Sequence, residues 1–360
     1  MVFISSNNNI INNNINNNNN NNNNLSDDES NYKINMDDFS PEYFELESFN
    51  FSSGKKLKSL PVEYFTIGTP ILDDQRHINN AIIFLHGWGG DCGSIRRINE
   101  IIGPKKPLDT KKFFIISITT LGSPNSASPS VMNLGSKFPD YSIEDMVKFQ
   151  IDFLKSKFNI IHVKGIIGNS MGGFEALTWA AKYPEYMDFL ISLVSTYKVA
   201  GHNYALFKFM NRIIESDCEY NNGNYSKPLK KSLALANESM YPFGLSKEYY
   251  YTLDNNEIDD YMKEMRDEAI EEWDANDVVY RNNASTSYNI EDIISNIKAK
   301  TLIVAINQDQ YFPPDLDAIP MSEKIKNSEI IIYDSMMGHI GTHEIIKIEN
   351  ELEYFLKQFK

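Results

Sequence analysis

The chain has 360 residues, which is enough for one large core with an inserted subdomain or for two domains. Its net charge of −15 gives it no electrostatic reason to bind nucleic acid or an anionic membrane. The two cysteines, Cys92 and Cys218, are too few for a disulfide framework, and the first basic residue is Lys33, so a signal peptide is not expected. Since no apolar run is long enough to span a bilayer, we predict a soluble, cytoplasmic protein.

The first part of the chain is of low complexity. Residues 7–24 are asparagine, interrupted only by Ile10, Ile11 and Ile15. Such a tract cannot bury enough apolar area to offset the entropy lost on ordering. We therefore predict a disordered tail over residues 1–38 and a folded domain over residues 39–360.

Short apolar runs alternate with helical patterns in the rest of the chain. Runs of this length suit strands that are covered on both faces, as in a parallel sheet. Between them, Ser142 and Asp145 form a capping-box-like start for a helix that runs to about Lys157. The alternation predicts α/β architecture. The predicted strands are Ala81–Leu85, Phe113–Thr119, Val163–Ile167, Phe189–Val194, Thr301–Ile306 and Glu329–Tyr333.

The segment from about residue 197 to residue 288 breaks this alternation and reads as mainly helical. Apolar residues from Ile258 to Trp273 recur at three- and four-residue steps, with acidic residues between them. This pattern is typical of an amphipathic helix that packs on a core. We predict a helical lid inserted between two strands of the sheet.

The strongest chemical signal is the motif G-x-S-x-G over Gly168–Gly172, with Ser170 at its centre. Small residues on both sides allow a sharp, strained turn that exposes the serine hydroxyl. The predicted strand Val163–Ile167 precedes the motif, and a helical run follows it from Gly173. This context predicts that Ser170 is a nucleophile.

A serine hydroxyl needs an adjacent base, and in this arrangement the acid and the histidine follow the serine along the chain. His339 comes after the last predicted strand, with His343 as the alternative. Asp309 directly follows the strand Thr301–Ile306, where catalytic groups collect in open α/β sheets, with Asp334 as the alternative. We predict His339 as the base and Asp309 as the group that orients it.

A tetrahedral intermediate also needs two N–H donors for its oxyanion. We assign them to the amides of Met171, which follows the nucleophile, and Trp88, in the loop after an early strand. His86 in the same loop is expected to be structural and to bridge backbone groups. The histidines show no ligand cluster, so no metal and no bound cofactor are predicted, although acyl-CoA could serve as a co-substrate.

Several segments of the sequence, taken together and in order, are typical of one known enzyme family. They are Phe138 and Pro139, Gly168–Gly173, Tyr183–Glu185, Asp309 with Phe312–Pro314, and Gly338 with His339. With these segments in this order, the chain from about residue 78 to its end resembles the homoserine O-acetyltransferase family of the α/β-hydrolase superfamily. The resemblance implies an α/β-hydrolase fold with a mostly parallel central sheet and a helical lid. It also implies an acyl-enzyme at Ser170 and transfer of the acyl group to an acceptor.

Two departures from that family concern the acceptor. An aspartate normally follows the catalytic histidine and helps to hold the acceptor's amine, but here that residue is Ile340. The arginine that normally binds the acceptor's carboxylate is replaced by Asn211, with Arg212 one position away. A one-residue shift turns a helical side chain by about 100°, so Arg212 could face away from the site. These three residues are the candidate substrate-binding positions.

The leading hypothesis is therefore serine-dependent acyl transfer from an acyl-CoA to a hydroxyl acceptor. The alternative is an esterase or thioesterase that acts on small acyl esters with the same residues. A non-catalytic binding protein is a minor third reading. The expected partners are a small-molecule acyl donor and acceptor, with neither nucleic acid nor membrane, and a homodimer is left open.

Overall fold

A computed structural model describes residue 36 and residues 40–360. The predicted tail, residues 1–38, therefore lies outside the described residues except for Met36. No helix in the described part of the chain is both long and apolar enough to cross a membrane.

The described residues form one eight-stranded sheet with the order β1-β2-β4-β3-β5-β6-β7-β8. β1 and β2 form an antiparallel pair, β2 also runs antiparallel to β4, and all other neighbours are parallel. All six predicted strands are confirmed to within two residues. The strands are β1 Glu42–Asn50, β2 Lys56–Ile67, β3 Ala81–Leu85, β4 Phe114–Ile118, β5 Val163–Asn169, β6 Met187–Leu193, β7 Lys300–Ile306 and β8 Ser328–Tyr333.

Helices cover both faces of the sheet. Ile83 and Leu85 of β3 belong to one hydrophobic cluster, whereas Ile82 and Phe84 belong to the other, so that the strand is buried on both sides. The helices are α1 Ile143–Phe158, α2 Met171–Lys182, α3 Gly201–Glu215, α4 Lys230–Glu238, α5 Tyr241–Gly244, α6 Lys247–Tyr250, α7 Asn255–Glu272, α8 Ala275–Thr286, α9 Ala318–Lys324 and α10 Glu349–Leu356. The 3₁₀ segments include Cys92–Ile101 and Gly338–Ile348.

The segment from α3 to α8 lies between β6 and β7 along the chain. It occupies the region in which the sequence predicts the lid, and α7 spans the amphipathic pattern. The segment begins and ends close together, because Lys198 bridges to Asn289 in an antiparallel arrangement. An insertion of this kind leaves the sheet intact while covering one part of it.

The predicted capping box at the start of α1 is present. The Ser142 side chain accepts a hydrogen bond from the Asp145 amide, and the Asp145 carboxylate accepts one from the Ser142 amide. Asp145 is fully buried, and it also accepts hydrogen bonds from the Ser52 amide at 2.7 Å and the Ser52 hydroxyl at 2.6 Å. This carboxylate therefore ties α1 to the turn between β1 and β2.

Replacing Asp145 by alanine should lower the free energy of unfolding by about 3 kcal/mol, because the cap is lost and the Ser52 donors are left unpaired. Urea unfolding at neutral pH measures this change. Lys155→Ala, on an exposed position of the same helix, is the control and should change stability by no more than about 0.5 kcal/mol. Equal losses in the two variants would contradict the proposed role of Asp145.

Candidate active site

Ser170 occupies the sharp turn between β5 and α2. Its backbone lies at φ 55° and ψ −117°, a conformation that side-chain-bearing residues rarely adopt. The turn is held by its neighbours, because the Ser170 amide donates to the Leu193 carbonyl at 2.9 Å and the Ser195 hydroxyl donates to the Ser170 carbonyl at 2.8 Å. A Cβ atom at Gly168 or Gly172 would overlap backbone carbonyl groups. Glycine is therefore required at both positions of the motif.

The structure brings the three predicted residues Ser170, His339 and Asp309 into one hydrogen-bonded chain. His339 Nε2 lies 2.9 Å from Ser170 Oγ, and His339 Nδ1 lies 2.8 Å from Asp309 Oδ2. All three are buried, with exposed fractions of 1%, 4% and 3% for Ser170, His339 and Asp309. A carboxylate can only accept at this position, so Nδ1 carries the proton and Nε2 is left as an acceptor for the serine hydroxyl.

The loop after β7 fixes the acid. Asp309 Oδ1 accepts hydrogen bonds from the amides of Tyr311 at 2.8 Å and Phe312 at 3.1 Å, so that only Oδ2 is turned to the imidazole. The rings of the same two residues pack on the imidazole of His339, with centroid distances of 4.9 Å and 5.5 Å. The acid and the histidine are thus restrained by one short segment.

The two alternatives lie elsewhere. His343 directs Nδ1 to the Ile340 carbonyl at 2.8 Å. The Asp334 side chain is exposed and accepts hydrogen bonds from the side-chain amides of Asn307 at 2.8 Å and Gln308 at 3.0 Å. Neither residue forms a hydrogen bond with Ser170 or His339 in the described part of the chain.

Both residues predicted to supply oxyanion donors are buried beside the nucleophile. Gly87, next to Trp88, lies against Ser170, where an added Cβ would sit 3.4 Å from the serine Cβ. Met171 directly follows Ser170 as the first residue of α2. Within residues 40–360, neither the Trp88 amide nor the Met171 amide is engaged by a protein acceptor. Both N–H groups are thus free to receive a ligand oxygen.

His86 bridges backbone groups, as predicted. Its Nε2 accepts from the Thr120 amide at 3.0 Å, which leaves the proton on Nδ1 to be donated to the Gly87 carbonyl at 2.7 Å. Burial lowers the pKa of His86 to about 4, so the ring is neutral at physiological pH. This neutral ring fixes the shape of the loop that carries Trp88.

The lid contributes residues to the site that the sequence does not predict. The Trp88 indole N–H donates to the Asn282 side chain at 2.8 Å, and the Arg281 guanidinium carbon lies 4.4 Å from the centroid of the Trp88 ring. Trp273 and Phe207 pack on the same indole, with centroid distances of 5.1 Å and 6.4 Å. The helical pattern of this region predicts burial of one face but gives no signal of what that face meets.

The three candidate substrate-binding residues lie in different surroundings. Arg212 is exposed on α3, in keeping with the expectation that the one-residue shift turns it away from the site, and its role in substrate binding stays a prediction. Asn211 is buried and accepts from the Asn282 amide at 2.8 Å while donating to Asn283 at 3.0 Å. Ile340 is buried directly after His339 and places an apolar side chain there.

An open cleft of about 470 Å³ lies beside the loop that carries Asp309, and Ser170 is not among the residues that line it. Its walls include His202, Phe243 and Gln308. Gln310 also lines this cleft, and its side-chain amide donates a hydrogen bond to the Leu245 carbonyl at 2.7 Å. In residues 36 and 40–360, no group of three or more His, Cys, Asp or Glu side chains is arranged to hold a metal ion.

Glu175, on α2 behind the nucleophile, is fully buried and accepts from the Thr120 hydroxyl at 2.8 Å. Burial raises the pKa of its carboxyl from 4.5 to about 8, against the opposing effect of hydrogen bonds from Thr120 and Gln150. The folded state therefore holds a proton that the unfolded chain releases above pH 4.5. Stability should then fall as the pH rises from 4.5 to 8.

Glu175→Gln should remove the part of this fall that comes from Glu175, because the amide stays neutral throughout. The difference in unfolding free energy between variant and parent should grow by about 1.4 kcal/mol per pH unit in that window. Urea unfolding at several pH values measures it, with Glu271→Gln on the exposed face of α7 as the control. Parallel pH profiles for Glu175→Gln and the parent would show that the carboxyl is ionised in the fold.

Comparisons with known proteins agree with this geometry. Residues 80–341 match the family described as alpha/beta hydrolase fold. A probable acyltransferase of Methanothermobacter thermautotrophicus is 47% identical over 321 residues, which cover 89% of this chain and 99% of the relative. A homoserine O-acetyltransferase of Methanococcus vannielii is 28% identical over 349 residues, covering 85% of this chain and 70% of the relative. The predicted resemblance is confirmed.

Solved structures show the same fold. An acetylester hydrolase from Corynebacterium glutamicum superposes with a TM-score of 0.79 at 23% identity, covering 88% of this chain and 96% of the other. A homoserine O-acetyltransferase from Bacillus anthracis superposes with a TM-score of 0.77 at 22% identity, covering 88% and 97%. Solved structures with this fold thus include both an acetylester hydrolase and a homoserine O-acetyltransferase.

Proposed function

Because the chain belongs to the alpha/beta hydrolase fold family, we propose that it transfers acyl groups through a covalent ester on Ser170. The hydrogen-bonded chain from Ser170 through His339 to Asp309 carries the proposal, since it is the arrangement that activates a serine hydroxyl. The name of the relative at 47% identity, a probable acyltransferase, supports the same reaction class.

In the first half-reaction, Ser170 Oγ attacks the carbonyl carbon of the donor while His339 Nε2 takes the hydroxyl proton. Asp309 stabilises the imidazolium that forms, and the free amides of Trp88 and Met171 receive the oxyanion. The bond to the leaving thiol or alcohol then breaks, and this group departs with the proton from Nε2. The acyl group is left as an ester on Ser170 Oγ.

In the second half-reaction, the acceptor hydroxyl gives its proton to His339 Nε2 and its oxygen attacks the ester carbon. The second tetrahedral intermediate collapses, and Ser170 Oγ regains the proton. The donor proposed is an acyl-CoA, used as a co-substrate rather than as a bound cofactor. With a hydroxyl compound as acceptor the product is an O-acyl compound; with water it is a free acid.

Ester or thioester hydrolysis is the second candidate, and the surroundings of His339 favour it. Ile340 offers no charge for an acceptor's amine, and Arg212 is turned to solvent. A buried amine or carboxylate without a partner is costly, so these two positions do not select a zwitterion. The acyl acceptor is therefore water, or a hydroxyl compound that is not held by these two positions.

Thiol release from acetyl-CoA should depend on Ser170, and adding a hydroxyl acceptor that is not a zwitterion, such as 4-hydroxybutanoate or 1,4-butanediol, should accelerate it more than L-homoserine does and give an O-acetyl product. Ser170→Ala is the blank, and its rate should be lower by about 10⁴-fold or more. Release that depends on Ser170 but ignores every hydroxyl acceptor would establish hydrolysis instead. Full turnover by Ser170→Ala would rule out both reactions.

His339→Gln should reduce turnover about as far as Ser170→Ala, because the hydroxyl loses its proton acceptor and the two residues act as one unit. His343→Gln is the matched control, since its ring lies one turn further along and forms a hydrogen bond with the backbone carbonyl of Ile340. Steady-state rates with a small activated ester compare the two variants. Equal losses in both would contradict the assignment of His339 as the base.

A further inference from the structure

Arg281 on α8 is a buried cation for which the mechanism above has no use. Arg281 is 2% exposed, and burial lowers the pKa of its guanidinium. Within residues 40–360, its Nε has no hydrogen-bond partner and no carboxylate forms an ion pair with it. Burying a charge without a direct partner costs free energy, so a buried guanidinium without an ion pair needs an explanation.

The carboxylate of Asp277, which acts electrostatically on Arg281, forms its hydrogen bonds with other residues. Asp277, one helical turn earlier, acts on Arg281 only through space. Its oxygens accept from the Ser130 amide at 2.9 Å, the Ser130 hydroxyl at 2.5 Å and the Ser128 hydroxyl at 3.1 Å. The contacts left to the guanidinium are the face of the Trp88 ring and a long interaction of 3.5 Å with the Ser123 hydroxyl.

A second unpaired donor lies at the same place. The Tyr141 hydroxyl is buried without a partner in the described part of the chain, and it interacts electrostatically with Arg281. It lies against Gly122, where an added Cβ would overlap it, and so it faces the loop that also carries Ser123. Burial raises the pKa of Tyr141, so its hydroxyl keeps the proton and can donate it. In the described part of the chain, Arg281 Nε and the Tyr141 hydroxyl are thus two buried donors near the same loop that no protein acceptor satisfies.

The position of Arg281 on α8 relates these two donors to the proposed oxyanion site. Arg281 and Ser285 lie four residues apart on the same face of α8. The Ser285 hydroxyl lies 3.6 Å from Met171 Sδ, and Arg281 lies over Trp88. This face therefore covers the two residues whose amides are assigned to the oxyanion. A substrate group that meets Arg281 would therefore lie on the side of the site that carries the proposed oxyanion donors.

We propose that Arg281, together with the hydroxyls of Tyr141 and Ser123, binds a carboxylate on the substrate a few bonds from the carbonyl that Ser170 attacks. The inference rests on the proposed function, because it names the substrate class of that site. A planar guanidinium matches the two oxygens of a carboxylate, and one cation with two neutral donors suits a single negative charge. The carboxylate belongs either to the acyl chain, as in a succinyl group, or to the acceptor, as in a hydroxy acid.

Matched substrates separate these two sources. For the acyl chain, kcat/KM is compared for succinyl-CoA and acetyl-CoA; for the acceptor, 4-hydroxybutanoate is compared with 1,4-butanediol. In one of the two pairs the wild type should prefer the carboxylate, and Arg281→Met should lower that preference by about 30-fold or more. Tyr141→Phe, which removes a single oxygen, should lower it by a smaller factor. Arg266→Met, on the exposed face of α7, should leave it unchanged.

The ratio within each pair distinguishes binding from packing. If Arg281→Met and Tyr141→Phe lower both members of a pair by the same factor, the cluster only supports the fold and the proposal is overturned. It is also overturned if the wild type prefers the carboxylate in neither pair, because water alone would then satisfy the donors.

A binding measurement covers the case in which no substrate turns over. Succinate should bind to Ser170→Ala by calorimetry, with acetamide as the uncharged control, and binding should be lost in Ser170→Ala/Arg281→Met. This outcome would support the carboxylate site even if the proposed acyl transfer were wrong. Absence of succinate binding to Ser170→Ala, in a protein that is folded by circular dichroism, would overturn the site whatever the reaction.

Discussion

The turn at Ser170 is the constraint on which the rest of the site depends. A serine with positive φ costs on the order of 1–3 kcal/mol, so it persists only where the surroundings determine it. Here the carbonyl of Ser170 is held by Ser195 and its amide by Leu193, both at the end of the neighbouring strand β6. The turn points the hydroxyl at His339, which arrives from the loop after β8. Four neighbouring parallel strands, β5 to β8, therefore converge on one hydrogen-bonded chain.

The lid and the oxyanion loop form one packed unit. The indole of Trp88 lies among Phe207 of α3, Trp273 before α8, and Arg281 and Asn282 of α8. Asn282 continues to Asn211 on α3, so that a chain of amide hydrogen bonds joins both lid helices to the loop. A buried polar network of this kind is stable only when its members are paired, and it fixes how the lid sits on the sheet.

The buried strands and the order of the site residues could be predicted because they leave patterns in the sequence. Continuous apolar runs mark β3 to β8, and the motif around Ser170 places Asp309 and His339 by their strands. β1 and β2 gave no such signal, since β1, at the sheet's edge, buries only Leu46 and Phe49 fully and carries exposed glutamates between its apolar residues. The partners of Trp88 could not be predicted either. They depend on how a distant helix docks, which a periodic pattern does not encode.

The burial of the nucleophile has a consequence for the kinetics of this protein. Ser170 is 1% exposed, and the cleft of about 470 Å³ opens beside Asp309 rather than onto the hydroxyl. Since Ser170 is covered in this conformation, a substrate reaches the serine only after an opening of the structure. The frequency of that opening would then set an upper limit on turnover, however fast the bond-making steps are. The same closure excludes bulk water, and the lifetime of the closed state would divide each acyl-enzyme between a bound acceptor and the solvent.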